Sequence, residues 1–326
     1  MRSWNRTGWS SEPGRLQWQR GYIVQESIHK YFQVGLVAAM ADPAAWKGKE
    51  ETFLAGIRQV VTDDYFDVIE VNPIKPERRE QVKKWVTAGH LKLCYSGHAR
   101  LLGAGLNPNA LEEAERQKAE DALKEGLEEA KELGADTLAF LSGHWEEKTR
   151  EEAYRQLVKT TGNLCAYAQE RQMKIEIEVF DYDIAKKSLL GPAPLAARFA
   201  AELRSKFNNF GLMIDLSHIP MTHETGRFVV QTLRPYLTHF HIGNTVIKSP
   251  AAPAYGDEHP RFGFPGSCAD TPEVLEFLRV LKQEGFFCPA KPFVLSFEIK
   301  PWADEDPALV LANAKRVLNR AWALLE

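Results

Sequence analysis

Apolar positions along this chain fall into strand-length runs, and longer stretches of helical periodicity separate them. The runs are Tyr31–Ala38, Phe66–Val71, His90–Tyr95, Asp136–Leu141, Lys174–Phe180, Gly211–Asp215, Thr238–Ile242 and Phe293–Glu298. Between and after them, helical patterns cover Glu50–Val61, Pro76–Ala88, Asn109–Leu133, Thr149–Arg171, Gly191–Phe207, Glu224–Leu233, Asp270–Gly285 and Pro307–Leu325. Leu212, Met213 and Ile214 are apolar at consecutive positions, the mark of a strand buried on both faces, as in a parallel sheet. Punctuation agrees with this reading. Asn109 is placed to cap the third long helix and Gly134 to end it. Asp270-Thr271-Pro272-Glu273 combines a capping side chain with proline in the first turn.

Alternating strands and helices with short connections imply right-handed crossovers. Eight such units predict a closed (β/α)8 TIM barrel, an α/β single domain, although an open doubly wound sheet shares the rhythm. The chain has 326 residues, and such barrels typically take about 250 and run past 400 with insertions. The extra length sits in an N-terminal arm, residues 1–30, broken by Gly8, Pro13 and Gly14, and in a Gly/Pro-rich loop after strand 7, Gly243–Ala269. The barrel domain is then residues 31–326.

Composition narrows the function classes. The net charge is −3, with no basic stripe to track a phosphate backbone, so nucleic acid is not the expected partner. No run is long and apolar enough to span a bilayer, and residues 1–20 lack the apolar core of a signal peptide. Cys94, Cys165, Cys268 and Cys288 form no CxxC pair, so no thiolate metal site or disulfide framework is indicated. A reducing cytoplasm is the expected compartment.

The candidate chemistry lies at the strand ends. Strands 5 to 8 finish on Glu178, Asp215, His241 and Glu298. A carboxylate at the tip of a buried strand is costly unless partnered. In a barrel these four tips converge on one mouth. Three carboxylates and one imidazole suit one divalent ion, Mn²⁺, Mg²⁺, Co²⁺ or Zn²⁺, and do not choose among them. Strand alternation puts Glu176 on the face of Glu178 and His239 on the face of His241. Histidines follow other strands: His98, His144 and His218, with Asp257-Glu258-His259-Pro260-Arg261 in the long loop. His144, which would lie beside Glu178, is the extra candidate for general base. His98, Trp145, His218, His259 and Arg261 are the candidate substrate contacts.

These stretches together resemble the xylose-isomerase-like barrel superfamily of sugar isomerases and epimerases. The matching pieces are Ile177-Glu178, Asp215-Leu-Ser-His218, His239-Phe-His241, Gly256-Asp-Glu-His259 through Gly263-Phe-Pro-Gly266, and Phe297-Glu298. The resemblance implies that the quartet Glu178, Asp215, His241 and Glu298 holds the metal, with Mn²⁺ favoured, that Glu178 and Glu298 are catalytic and shuttle a proton, and that His218 contacts substrate. The expected function is proton abstraction next to a carbonyl of a sugar or keto-sugar, giving isomerisation or epimerisation. An oligomer is expected.

Two alternatives share the barrel. Tyr255–Gly263 resembles the catalytic subunit of lyases that cleave C-glycosides of 3-keto sugars by deprotonation and elimination, with a smaller partner subunit. Read in order, His98, His144, Glu178, Asp215, His218, His241, Asp257, His259 and Glu298 also resemble the ligands of trinuclear apurinic endonucleases, which are phosphodiesterases. Asn244 departs from the pattern, standing where many relatives carry an acid.

Overall fold

The structure, a computed structural model, describes residues 26–326; most of the arm expected at residues 1–30 lies outside them. Eight strands close into a parallel barrel in sequence order: β1 Phe32–Val37, β2 Val68–Val71, β3 Lys92–Ser96, β4 Thr137–Leu141, β5 Lys174–Val179, β6 Phe210–Asp215, β7 Leu237–Gly243 and β8 Phe293–Glu298. The ring closes where β1 pairs with β8, Phe32 opposite Phe293. The helices that return the chain are α1 Glu50–Val61, α2 Pro76–Ala88, α3 Glu113–Leu133, α4 Arg150–Gln169, α5 Ala193–Arg204, α6 Gly226–Leu233, α7 Thr271–Gln283 and α8 Pro307–Ala323. The closed barrel settles the choice against an open sheet.

Strand alternation sorts the side chains. On β2, Ile69 and Val71 join the main core between sheet and helices. Val68 instead joins Cys94 and Val294 in a small separate cluster, and Glu70 shares its face. The barrel interior therefore mixes a few apolar side chains with ionisable ones, Glu70 among them. The main core includes an edge-to-face set of Phe240, Phe286 and Phe293 from β7, the segment after α7, and β8. Asp270 and Glu273 form the expected capping box of α7. No helix among the described residues is long and apolar enough to cross a membrane. All four cysteines are free.

Local differences from the expected pattern have physical causes. Short helices at Ala38–Ala41, Pro43–Lys47, His98–Ala104 and His218–Met221 extend strand ends, each too short for a periodic signal. Asn109 does not cap α3, which begins at Glu113. Its buried amide instead accepts from Gly143 N at 2.6 Å and donates to the His144 carbonyl at 2.7 Å, serving the backbone after β4. Asn244 closes the long loop: its amide donates to the Arg261 carbonyl at 2.8 Å and accepts from Thr245 N and Ala269 N.

Candidate functional site

The C-terminal ends of β5 to β8 bring Glu178, Asp215, His241 and Glu298 together. One ligand atom from each lies within 4.8 Å of the others. Backbone donors fix Asp215: its Oδ1 accepts from Ser217 N and Gly243 N, each at 2.8 Å. Its Oδ2 lacks a hydrogen-bond partner among the described residues, as does Glu178 Oε1. Gly243 is required here, because a Cβ would sit 2.7 Å from Asp215 Oδ2 and 2.8 Å from His259 Nδ1. His241 Nδ1 lies 2.7 Å from Glu298 Oε2 and 3.9 Å from Glu178 Oε1.

Burial pushes the Asp215 carboxyl above its ordinary value, against the opposing pull of His218 and His259. Burial pushes Glu298 the same way, but His259 and His241 outweigh it and hold that carboxyl below the usual carboxylate range. Two buried carboxylate oxygens without donors are costly unless a cation faces them. The donor set and its unpaired oxygens thus fit a divalent ion.

A second ring of groups surrounds the quartet. His98 Nδ1 is 2.9 Å from Ser96 Oγ, and its Nε2 is 3.0 Å from Glu178 Oε2, though not aligned for a hydrogen bond. His218 Nδ1 is 3.3 Å from Glu178 Oε1. Asp257, inside the long loop, receives His218 Nε2 at 3.0 Å and His259 Nε2 at 2.7 Å, and it pairs with Lys186. Burial lowers the affinity of both histidines for protons, yet the acidic partners outweigh it and raise them to about 9 and about 10. His259 reaches this position with φ +45°, in the left-handed region costly for a non-glycine residue. Its carbonyl accepts from Lys300 N at 2.7 Å, which ties the loop to the end of β8.

Beneath the quartet lies a further layer. Glu70 accepts from His239 Nε2 at 2.9 Å and from His241 Nε2 at 3.1 Å. His239 Nδ1 meets Glu176 Oε2 at 2.9 Å, and Glu176 Oε1 accepts from Thr238 Oγ1 at 2.7 Å.

A cavity of about 340 Å³ opens above the quartet, within the usual range of ligand pockets. Glu178, His241, Glu298, His98 and His259 line it, with Lys186, Lys300 and an apolar side that includes Met40, Leu102 and Phe180. Phe180 stacks on His218 with ring centroids 4.1 Å apart. A larger cavity of about 510 Å³ lies by α6 and α7, and none of the quartet lines it.

The remaining residues that the sequence pattern nominates lie elsewhere. His144 is exposed and belongs to none of the converging ligand groups. Trp145 packs against the main core, with Arg150 over its ring. Arg261 pairs with Glu305 at 2.8 Å and does not line the cavity. Conversely, Glu70, Lys186 and Lys300 stand in the site, and the strand-end pattern does not nominate them. Glu70 is the one charge in the run Val68-Ile69-Glu70-Val71, and the cost of burying a lone carboxylate marks it as it marks Asp215. Lys186 and Lys300 carry no such signal.

Comparison with known proteins begins from solved structures. L-ribulose 3-epimerase superposes with TM-score 0.67 at 16% identity, covering 89% of this chain and 95% of its own. The 3-keto-D-glucoside 4-epimerase from E. coli gives 0.63 at 12%, covering 90% and 98%. The IOLI protein with a binding zinc atom gives 0.63 at 16%, covering 89% and 95%. At these identities the likeness is one of fold. No curated protein matches the chain in sequence. The family profile described as xylose isomerase-like TIM barrel matches residues 55–306, from within α1 to the residue before α8. That span takes in all four strand ends of the quartet, and the chain belongs to the xylose isomerase-like TIM barrel family.

Proposed function

We propose that this protein is a divalent-metal-dependent sugar isomerase or epimerase that abstracts a proton next to a carbonyl, with residues 31–326 as its catalytic domain. The observation that carries this reading is the quartet itself, with Glu178, His241 and Glu298 lining the cavity and with Glu178 Oε1 and Asp215 Oδ2 unpaired. Glu178, Asp215, His241 and Glu298 would hold the ion, Mn²⁺ being favoured. Bound there, it supplies Lewis-acid polarisation of a carbonyl oxygen.

The chain's own groups do the rest. Glu178 and Glu298 come from β5 and β8 and both line the cavity. One, as carboxylate, takes the proton next to the carbonyl and keeps it, and the other, as carboxylic acid, delivers its own proton from the opposite face, which inverts the carbon. His218, locked between Phe180 and Asp257, and His98 hold substrate hydroxyls. The apolar side, with Met40 and Phe180, limits water around the reacting carbon. The epimerases among the structural relatives, L-ribulose 3-epimerase and 3-keto-D-glucoside 4-epimerase by name, agree with a sugar substrate.

The cavity rim favours a second reading. Leu102 is 52% exposed there, beside Met40. That rim suits an apolar leaving group, as in a lyase acting on C-glycosides of 3-keto sugars. The phosphodiesterase reading counts both His98 and His144 among its ligands; His98 lies on Glu178, and His144 is exposed and outside the converging groups.

The test begins with metal per chain by elemental analysis, on wild type and Glu298→Gln. About one ion per chain, lost in the variant, is expected. Ketoses and 3-keto glycosides are then screened in deuterated water. Exchange at the carbon beside the carbonyl supports the proposal, release of an aglycone moves the enzyme to the lyase branch, and no metal under any loading condition ends both.

A further inference from the structure

The layer beneath the quartet repeats its residue types without its unpaired oxygens. Glu70, Glu176 and His239 are 3%, 4% and 1% exposed. None of their polar atoms lacks a hydrogen-bond partner. His239 Nε2 faces Glu70 at 2.9 Å and its Nδ1 faces Glu176 at 2.9 Å, so the ring is held from both sides.

His241 sits one step above. Its Nε2 faces Glu70 Oε1 at 3.1 Å and Oε2 at 3.2 Å, and its Nδ1 faces Glu298 in the quartet. Only Nδ1 is on the quartet's side. We infer that Glu70 is the positioning residue of the candidate metal site, holding the Nε2–H of His241 so that Nδ1 is presented as the ligand, with His239 and Glu176 fixing Glu70 in turn. The inference rests on the proposed metal quartet and adds to it a carboxylate supplied by β2, on the side of the barrel away from β5 to β8.

The physical case has three parts. A ligating imidazole needs its other nitrogen committed to a donor role, or both tautomer and ring angle drift. Glu70 is placed to accept from that nitrogen and from His239, so it cannot rotate toward either without losing the other. The two rings stand nearly perpendicular, with centroids 5.0 Å apart, so both bonds reach one carboxylate.

The experiment uses the full chain, stripped of metal, and Zn²⁺ or Co²⁺ alone as probe. Chelator competition gives the dissociation constant of wild type, Glu70→Gln and Glu176→Gln, each first checked for native circular dichroism. The expected result for Glu70→Gln is weaker binding by about 10- to 100-fold, the usual loss when a histidine ligand's outer partner is changed, with a shifted visible band of the Co²⁺ form at saturation. Glu176→Gln, one link further away, should weaken binding less. If Glu70→Gln does not fold, nitrogen-15 NMR of wild-type Zn²⁺ protein decides, with His241 expected to show a protonated Nε2 and a metal-bound Nδ1. Unchanged affinity and band in Glu70→Gln, or metal on Nε2, overturns the role of Glu70 while the quartet stands. Failure of the wild type to bind either ion overturns both.

Discussion

Glu178 and His241 stand two residues beyond Glu176 and His239 along the same strands, and the two layers differ in how fully their polar atoms are matched. In the lower pair every polar atom is matched by a partner inside the barrel. In the upper layer Glu178 Oε1, Asp215 Oδ2 and His218 Nδ1 are buried without one. Residue type and burial are shared, so neither explains the difference. A matched buried ion pair needs nothing further, whereas an unmatched one sits at a cost that an incoming cation can remove. On the proposed reading, the upper layer is built around a cation that arrives, and the lower layer supports it.

Asp215→Asn is the strongest way to break that contrast. It should abolish metal binding and cut proton exchange by roughly 10²–10⁴-fold. The metal-free protein should keep its urea midpoint or gain about 1 kcal/mol, because burial already disfavours this carboxylate's charge. A clear loss of metal-free stability would mean that the upper layer is structural. Glu176→Leu probes the other side. It strips His239 and Thr238 of their acceptor, and metal-free stability should fall by about 3 kcal/mol in urea titration; a neutral result would erase the distinction between the layers.

Metal itself sharpens the contrast. At about a hundredfold excess over its dissociation constant, Mn²⁺ should stabilise wild type by about 2.7 kcal/mol. Calorimetry should show a gain in the Glu176 variant as well, reached at higher metal concentration, and none in Asp215→Asn. The smallest effect belongs to an imidazole–carboxylate pair outside the barrel interior. His29 Nδ1 lies 2.6 Å from Asp67 Oδ2, with both side chains about a third exposed. The hydrogen bond to Asp67 raises the His29 pKa above its ordinary 6.5. Its contribution is therefore complete below about pH 6.5 and lost as pH rises through the raised value. Screened by solvent, it should amount to about 0.5 kcal/mol or less, read as the difference between wild type and His29→Asn in urea midpoints at pH 5.5 and 9.

Much of this is legible in the sequence because barrel and quartet rest on the same local signal. A strand buried on both faces is apolar throughout, so one that ends on Asp215 or Glu298 announces its tip. The closed ring follows from eight repeats of that unit. What escapes depends on distant partners. Asn109 reads as a cap, but a buried backbone turn 34 residues away claims its amide. His144 follows β4 as His98 follows β3, yet its ring stays in solvent while His98 turns inward to Glu178. Nothing local distinguishes the two. Lys186 is drawn into the site by Asp257, from a loop two strand–helix units later.

Asn244 carries a consequence for the long loop. One amide, donating to Arg261 and accepting from Thr245 and Ala269, staples the base of a segment that carries Asp257 and His259 on its rising limb. An acid of the same shape has no hydrogen to give Arg261 and would set two oxygens against each other. The segment therefore behaves as a cassette with its own clasp. For protein engineering, a loop from a relative with an acid at this position should be transplanted together with its own anchor.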